Sequence, residues 1–234
     1  MKELTENQRT FLQSLAAETE MDAHGIPVYV LTAGDFSFVS DFKLPAKANK
    51  RFEKEAPAEL YRGGAVIKVI CQQGVLVVPD ERYGWFKPFA GMARFAEGND
   101  LSLTGGRELM EEAFVYDLKK TTRFVPQGWK EKASLSSNLD FTVQTVREIG
   151  AVEIIGQSVN ETNRALEAVM EWDISGLAEP FSVNLEERWW NGGRNGVPVF
   201  VIDKEGAIVG VFSGQQGFLE IPKFGIHETL RKYL

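Results

Sequence analysis

Within the string Arg107-Glu108-Leu109-Met110-Glu111-Glu112, three carboxylates fall three and four residues apart. That spacing puts side chains on one face of an α-helix. Three like charges in one turn repel one another and weaken the helix that carries them. A divalent cation removes that cost: Mg²⁺ or Mn²⁺ takes hard oxygen ligands and commonly bridges carboxylates to substrate phosphates. The chemistry this allows is metal-assisted hydrolysis, in which the ion neutralises a phosphoanhydride and lowers the pKa of an attacking water. Glu108, Glu111 and Arg107 are the catalytic candidates, and Glu108, Glu111 and Glu112 are the candidate metal ligands. The planar guanidinium of Arg107 suits it to orient a neighbouring carboxylate or to meet a phosphate. A solvated acidic helix face is the plain alternative.

Such residues need a helix held against a sheet. The pattern predicts a helix from Leu103 to about Tyr116, docked through Leu109 and Ala113, with Gly105-Gly106 allowing close approach. Upstream, Ala65–Cys71 and Val75–Pro79 read as a hairpin turning at Gln72-Gln73-Gly74, followed by an aromatic loop from Tyr83 to Gly91. Further strands are expected at Arg123–Pro126, Phe141–Arg147, Val152–Gly156 and Leu166–Ile174, with a second hairpin, Val197–Ile202 and Ala207–Phe212, around Asp203–Gly206. Thr5 caps an expected helix to about Glu20, Ile26–Leu31 is a short strand, and His227–Tyr233 a closing helix. Residues 41–60 read as an exposed connection or a frayed helix. These elements divide into an N-terminal extension, 1–60, and a main domain, 61–234. Many strands with helices set between them, without strict βαβ alternation, predict an α+β or mixed-sheet α/β fold.

The region also resembles a known family, the Nudix hydrolases. Their signature is Gly, five residues, Glu, seven residues, then Arg-Glu-aliphatic-x-Glu-Glu-x-Gly-aliphatic. Gly91 and Glu97 keep the first spacing, Arg107–Glu112 the core, and Val115 the last position; Trp85 and Pro88 match residues that usually precede the box. Nine residues rather than seven separate Glu97 from Arg107, and Phe114 stands where glycine normally permits a left-handed helix end. The resemblance implies a mixed β-sheet sandwiched between helices, Mg²⁺ or Mn²⁺ on Glu108, Glu111 and Glu112, Arg107 holding Glu108, and Glu97 supporting the loop or an outer metal. It implies hydrolysis of a nucleoside diphosphate linked to another group, such as ADP-ribose, a dinucleotide or a nucleotide sugar. A homodimer, with the N-terminal segment at its interface, is a further implication.

Glu148, Glu153 and Glu171 are candidates for an additional carboxylate. Trp85, Phe86 and Trp189-Trp190 are aromatic residues able to stack on a base; Arg94 and Arg194, the latter in the loop Asn191–Gly196, complete the substrate-binding candidates. His24 and His227 read as structural or surface residues.

Composition narrows the classes. A net charge of −7 excludes a protein that grips nucleic acid through a basic surface, while a nucleotide remains accessible through a local cation. One cysteine, Cys71, in an apolar run, excludes an intramolecular disulfide and reads as a buried thiol; with two histidines it excludes a finger-type zinc site. The polar opening residues and the lack of a long apolar run lead to the expectation of a cytoplasmic protein that does not span a membrane. A catalytically inactive nucleotide sensor or protein-interaction domain on the same fold is the competing class, motivated by the longer loop, Phe114 and the N-terminal extension.

Overall fold

The computed structural model describes residues 4–20, 24–32, 35–80, 84–98, 100–133, 143–185, 198–212 and 225–234. Along the chain run α1 (Glu6–Glu18), β1 (Ile26–Thr32), β2 (Asp35–Leu44), α2 (Asn49–Glu55), β3 (Leu60–Cys71), β4 (Gly74–Asp80), β5 (Trp85–Lys87), β6 (Phe89–Met92) and α3 (Leu101–Glu112). There follow β7 (Ala113–Asp117), β8 (Thr122–Val125), β9 (Thr145–Glu148), β10 (Val152–Asn160), β11 (Ala165–Asp173), β12 (Phe181–Leu185), β13 (Val199–Ile202), β14 (Ile208–Phe212), β15 (Gly225–Ile226) and α4 (Glu228–Tyr233). Parallel and antiparallel pairings both occur, with few helices, so the fold is α+β with mixed sheets. Among the described residues no helix is long and apolar enough to cross a membrane.

The chain forms two compact units, one of Met1–Ala65, Gly91–Thr104 and Ile155–Val169, the other of Val66–Ala90, Gly105–Ile154 and Met170–Leu234. In the first, Thr5 caps α1 as expected: its hydroxyl accepts from Gln8 N at 3.2 Å while Gln8 Oε1 accepts from Thr5 N at 3.0 Å. Strand β1 pairs antiparallel with β2 and with β3, Tyr29 facing Phe38 on one side and Tyr61 on the other. Leu12, Leu15, Ile26, Val28, Val30, Leu44, Phe52 and Leu60 close the core of this unit. Residues 41–60 are more ordered than expected. β2 continues to Leu44, a 3₁₀ turn spans Ala46–Ala48, and α2 buries Phe52 completely. The single apolar Phe52 among Lys, Arg and Glu gave helical periodicity little to work with.

In the second unit β3 and β4 form the expected hairpin, Cys71 opposite Gly74, and β4 pairs in turn with β13. Gly74 (φ +150°) passes so close to Ile202 that no Cβ fits there. The second hairpin, β13–β14, is also as expected: Asp203 Oδ1 accepts from Glu205 N and Ala207 N, and Gly206 takes φ +83°. The aromatic loop is instead two short strands. β5 continues the meander antiparallel to β4, with Phe86 opposite Pro79. Val75, Val77, Phe86, Phe200, Ile202 and Leu230 form the core beneath it. Cys71 is buried, as read from its apolar run.

Helix α3 starts two residues earlier than expected and stops at Glu112, four residues short of Tyr116. The correction has a physical cause: Phe114, Val115 and Tyr116 are strand-forming residues, and they pair in β7 with β12 and β8. Gly105 and Gly106 do permit close approach. A Cβ at Gly105 would overlap Met170 Sδ of β11, and one at Gly106 would overlap the indole of Trp129. Gly106→Val should therefore cost roughly 2 kcal/mol through overpacking and lower the melting temperature by about 4–8 °C. Calorimetry showing no change would contradict this packing.

Candidate metal centre

Asp100 begins the helix that carries the carboxylates: its Oδ1 accepts from Ser102 N at 3.1 Å. The other end is unusual. Glu108, Glu111 and Glu112 occupy the last turn of α3, where the unsatisfied carbonyls form the negative pole of the helix. Carboxylates are disfavoured there by roughly 0.3–1 kcal/mol each, before their mutual repulsion is added. Glu108 is 6% and Glu112 4% exposed, whereas the Glu111 side chain is 44% exposed. The three do not share one face equally. Glu108 and Glu112 point inward with the fully buried Leu109, and Glu111 lies at the solvent edge.

Each acid has a donor. Arg107 Nη1 bonds Glu108 Oε1 at 2.5 Å and Glu111 Oε2 at 2.9 Å, with only 13% of the Arg107 side chain exposed. Arg107 thus touches both Glu108 and Glu111. Glu112 Oε2 accepts from the backbone N–H of Ala90 at 3.1 Å, which ties the helix end to the β5–β6 segment. Among the described residues, no three His, Cys, Asp or Glu side chains are gathered closely enough to hold a metal ion as they stand. The donor set itself fits Mg²⁺ or Mn²⁺: hard carboxylate oxygens, two of them buried, within one helical turn. Gathering them asks Glu111 to leave Arg107. That partly exposed i,i+4 pair is worth only about 0.3–0.5 kcal/mol.

The helix end shows how Phe114 replaces glycine. Arg123, 1% exposed on β8, donates from Nη2 to Met110 O at 3.1 Å, and its guanidinium lies 4.3 Å from the Phe114 ring centroid. A buried cation thus satisfies a terminal carbonyl and offsets the negative pole, and the aromatic ring supports it. Arg123 was not legible as part of this region, because an arginine within a short strand carries no spacing signal.

Glu97 lies in the first unit. Its Oε2 accepts from Arg94 N at 2.9 Å and from Thr104 Oγ1 at 2.7 Å, Thr104 being fully buried, so it clamps the 3₁₀ turn Phe95–Glu97 to the first turns of α3. The Arg94 side chain is half-buried. Of the remaining carboxylates, Glu148 accepts from Gly128 N and Lys130 N, Glu171 pairs with Lys68 Nζ at 3.0 Å, and Glu153 is exposed on β10. Phe86 is corrected from a stacking candidate to a core residue: it is 2% exposed and packs 5.1 Å from Phe200. Trp85 is half-exposed, its ring edge-on to His227 at 5.1 Å. Trp189, Trp190 and Arg194 lie outside the described residues.

No protein-family model matches the chain, and no curated protein does. Two solved structures resemble it. A NUDIX-family hydrolase from Clostridium perfringens is 13% identical, with a TM-score of 0.34 over 61% of this chain and 81% of that one. Tm1382, a Nudix hydrolase candidate, is 14% identical, with a TM-score of 0.33 over 76% of this chain and 81% of that one. At such scores neither likeness bears on the site.

Glu97 also leaves a measurable mark. Burial first, and then the Glu97 charge, push the Tyr29 phenol up to about 12. A raised tyrosine pKa favours the neutral phenol in the folded state, so its stabilising contribution is complete below pH 10 and is lost as pH rises toward 12. In absorbance titrations at about 295 nm, the difference between wild type and Tyr29→Phe should show this phenol still protonated at about pH 11. Glu97→Gln should lower its midpoint without restoring the ordinary value, since burial is the larger cause. A midpoint near 10 in wild type would contradict the burial.

Proposed function

We propose that this chain is a Nudix-type pyrophosphohydrolase, cleaving the phosphoanhydride of a nucleoside diphosphate linked to another group: ADP-ribose, a dinucleotide or a nucleotide sugar. One observation carries the reading. Glu108 and Glu112 are buried one turn apart at the negative pole of α3, with Glu111 beside them. Burying like charges against a dipole is costly, and a site that binds a cation is the natural reason to retain them.

Glu108, Glu111 and Glu112 would hold Mg²⁺ or Mn²⁺. When bound, the ion supplies charge neutralisation for the diphosphate and an acidified water. Arg107 orients Glu108 and, once released from Glu111, offers its planar fork to a phosphate oxygen. Glu111, the most exposed of the three, takes the proton as a water oxygen bonds to phosphorus and the bridging P–O bond breaks. Two phosphorylated products leave.

One observation favours a second reading. Arg107 bridges Glu108 and Glu111, an arrangement suited to a nucleotide-binding domain that needs no metal. Turnover separates the two. With a panel of nucleoside diphosphate derivatives and Mg²⁺, the hydrolase should release nucleoside monophosphate, and Glu111→Gln should slow release by roughly 10²–10⁴-fold. Absence of product from every substrate, with the variant indistinguishable from wild type, would defeat the hydrolase; nucleotide-induced stabilisation without metal would then favour the second reading.

A further inference from the structure

Helix α3 ends at Glu112 and β7 begins at Ala113, so the last helical carbonyls need donors from outside the helix. Met110 O is one of them, and it lies in the chain between Glu108 and Glu111. In a longer helix its donor would be the amide four residues on, that of Phe114. Phe114 stands instead in β7, opposite Asn184 of β12. Arg123 on β8 takes its place: Nη2 donates to Met110 O at 3.1 Å. The guanidinium is held for this contact. Arg123 is 1% exposed, and its guanidinium lies 4.3 Å from the centroid of the Phe114 ring. That ring in turn packs 5.7 Å from Tyr116, the residue opposite Arg123 in the β7–β8 pairing.

We infer that Arg123 is a positioning residue for the metal centre. By holding the Met110 carbonyl it keeps the last turn of α3 wound, and a wound turn is what brings carboxylates three and four residues apart toward one ion. A frayed turn would let Glu111 and Glu112 swing away from Glu108. A lysine carries the same charge but lacks the planar fork and the stacking surface that hold the guanidinium on the Phe114 ring. Charge alone acts with the opposite sign: a cation nearby repels a divalent ion, so the direction of the effect tells positioning from simple electrostatics. The inference rests on Glu108, Glu111 and Glu112 being metal ligands, as already proposed, and it does not require turnover.

The test titrates the full metal-free chain with Mn²⁺ alone and reads bound ion from the loss of the free-ion signal in electron paramagnetic resonance, with thermal melts in parallel. Wild type should bind Mn²⁺ saturably. Arg123→Met, which removes the donor, should weaken binding roughly tenfold. Arg123→Lys should fall between the two, and it decides by itself if Arg123→Met does not fold. Phe52→Leu, a core substitution in the first unit, should lower the melting temperature and leave Mn²⁺ affinity unchanged, which separates positioning from general stability. Equal affinity in wild type and the Arg123 variants, tighter binding in Arg123→Met, or an equally large loss in Phe52→Leu would overturn the inference. A wild type that binds no Mn²⁺ would overturn it together with the metal centre. Arg123-dependent Mn²⁺ binding without release of nucleoside monophosphate would support it and defeat the hydrolase reading alone.

Discussion

Like charges at the end of α3 stand where neither solvent nor the backbone favours them. Glu108 and Glu112 have left water, and they sit where the peptide dipoles of α3 converge with negative sign. A buried carboxylate without compensation would take up a proton or unfold the helix. The chain compensates with donors drawn from three directions. Arg107 lies alongside Glu108 within the helix, the Ala90 amide reaches Glu112 from the β5–β6 segment, and Arg123 meets the Met110 carbonyl from β8.

Several local features follow from that arrangement. An aromatic residue can occupy the position of a terminal glycine because the chain does not turn through a left-handed cap; it passes directly into β7, and the Phe114 ring lies beneath Arg123. Gly105 and Gly106 let the middle of α3 press on Met170 and Trp129. In the first unit Glu97 serves a comparable purpose by hydrogen bonds alone, joining the Phe95–Glu97 turn to Thr104 and placing its charge near Tyr29.

The parts of the fold with one dominant local signal were legible from sequence. The Thr5 cap, the Gly74 and Asp203–Gly206 turns and the close-packing glycines each rest on chemistry that a few residues settle. Where two propensities competed, reading ran out: Phe114-Val-Tyr116 continues a helical pattern but pairs as strand, and the strand β2 (Asp35–Leu44) was missed although its apolar residues partly alternate. Of the candidate site, the spacing of the three glutamates was plain. Their unequal burial was not, because it depends on which neighbours arrive from distant segments, and the Ala90 amide and Arg123 are contacts across the sequence. Phe86 misled for the same reason: an aromatic residue beside a proline reads equally as a platform or as core, and pairing in β5 decides for core.

We propose that a divalent cation completes the last turn of α3. Crystals of the chain soaked in manganese and measured near the manganese absorption edge would show it. An anomalous peak bounded by the carboxylates of Glu108, Glu111 and Glu112, with Glu111 turned away from Arg107, is the expected result. Full manganese occupancy elsewhere in the lattice, with no peak beside that turn and Arg107 still bridging Glu108 and Glu111, would contradict it.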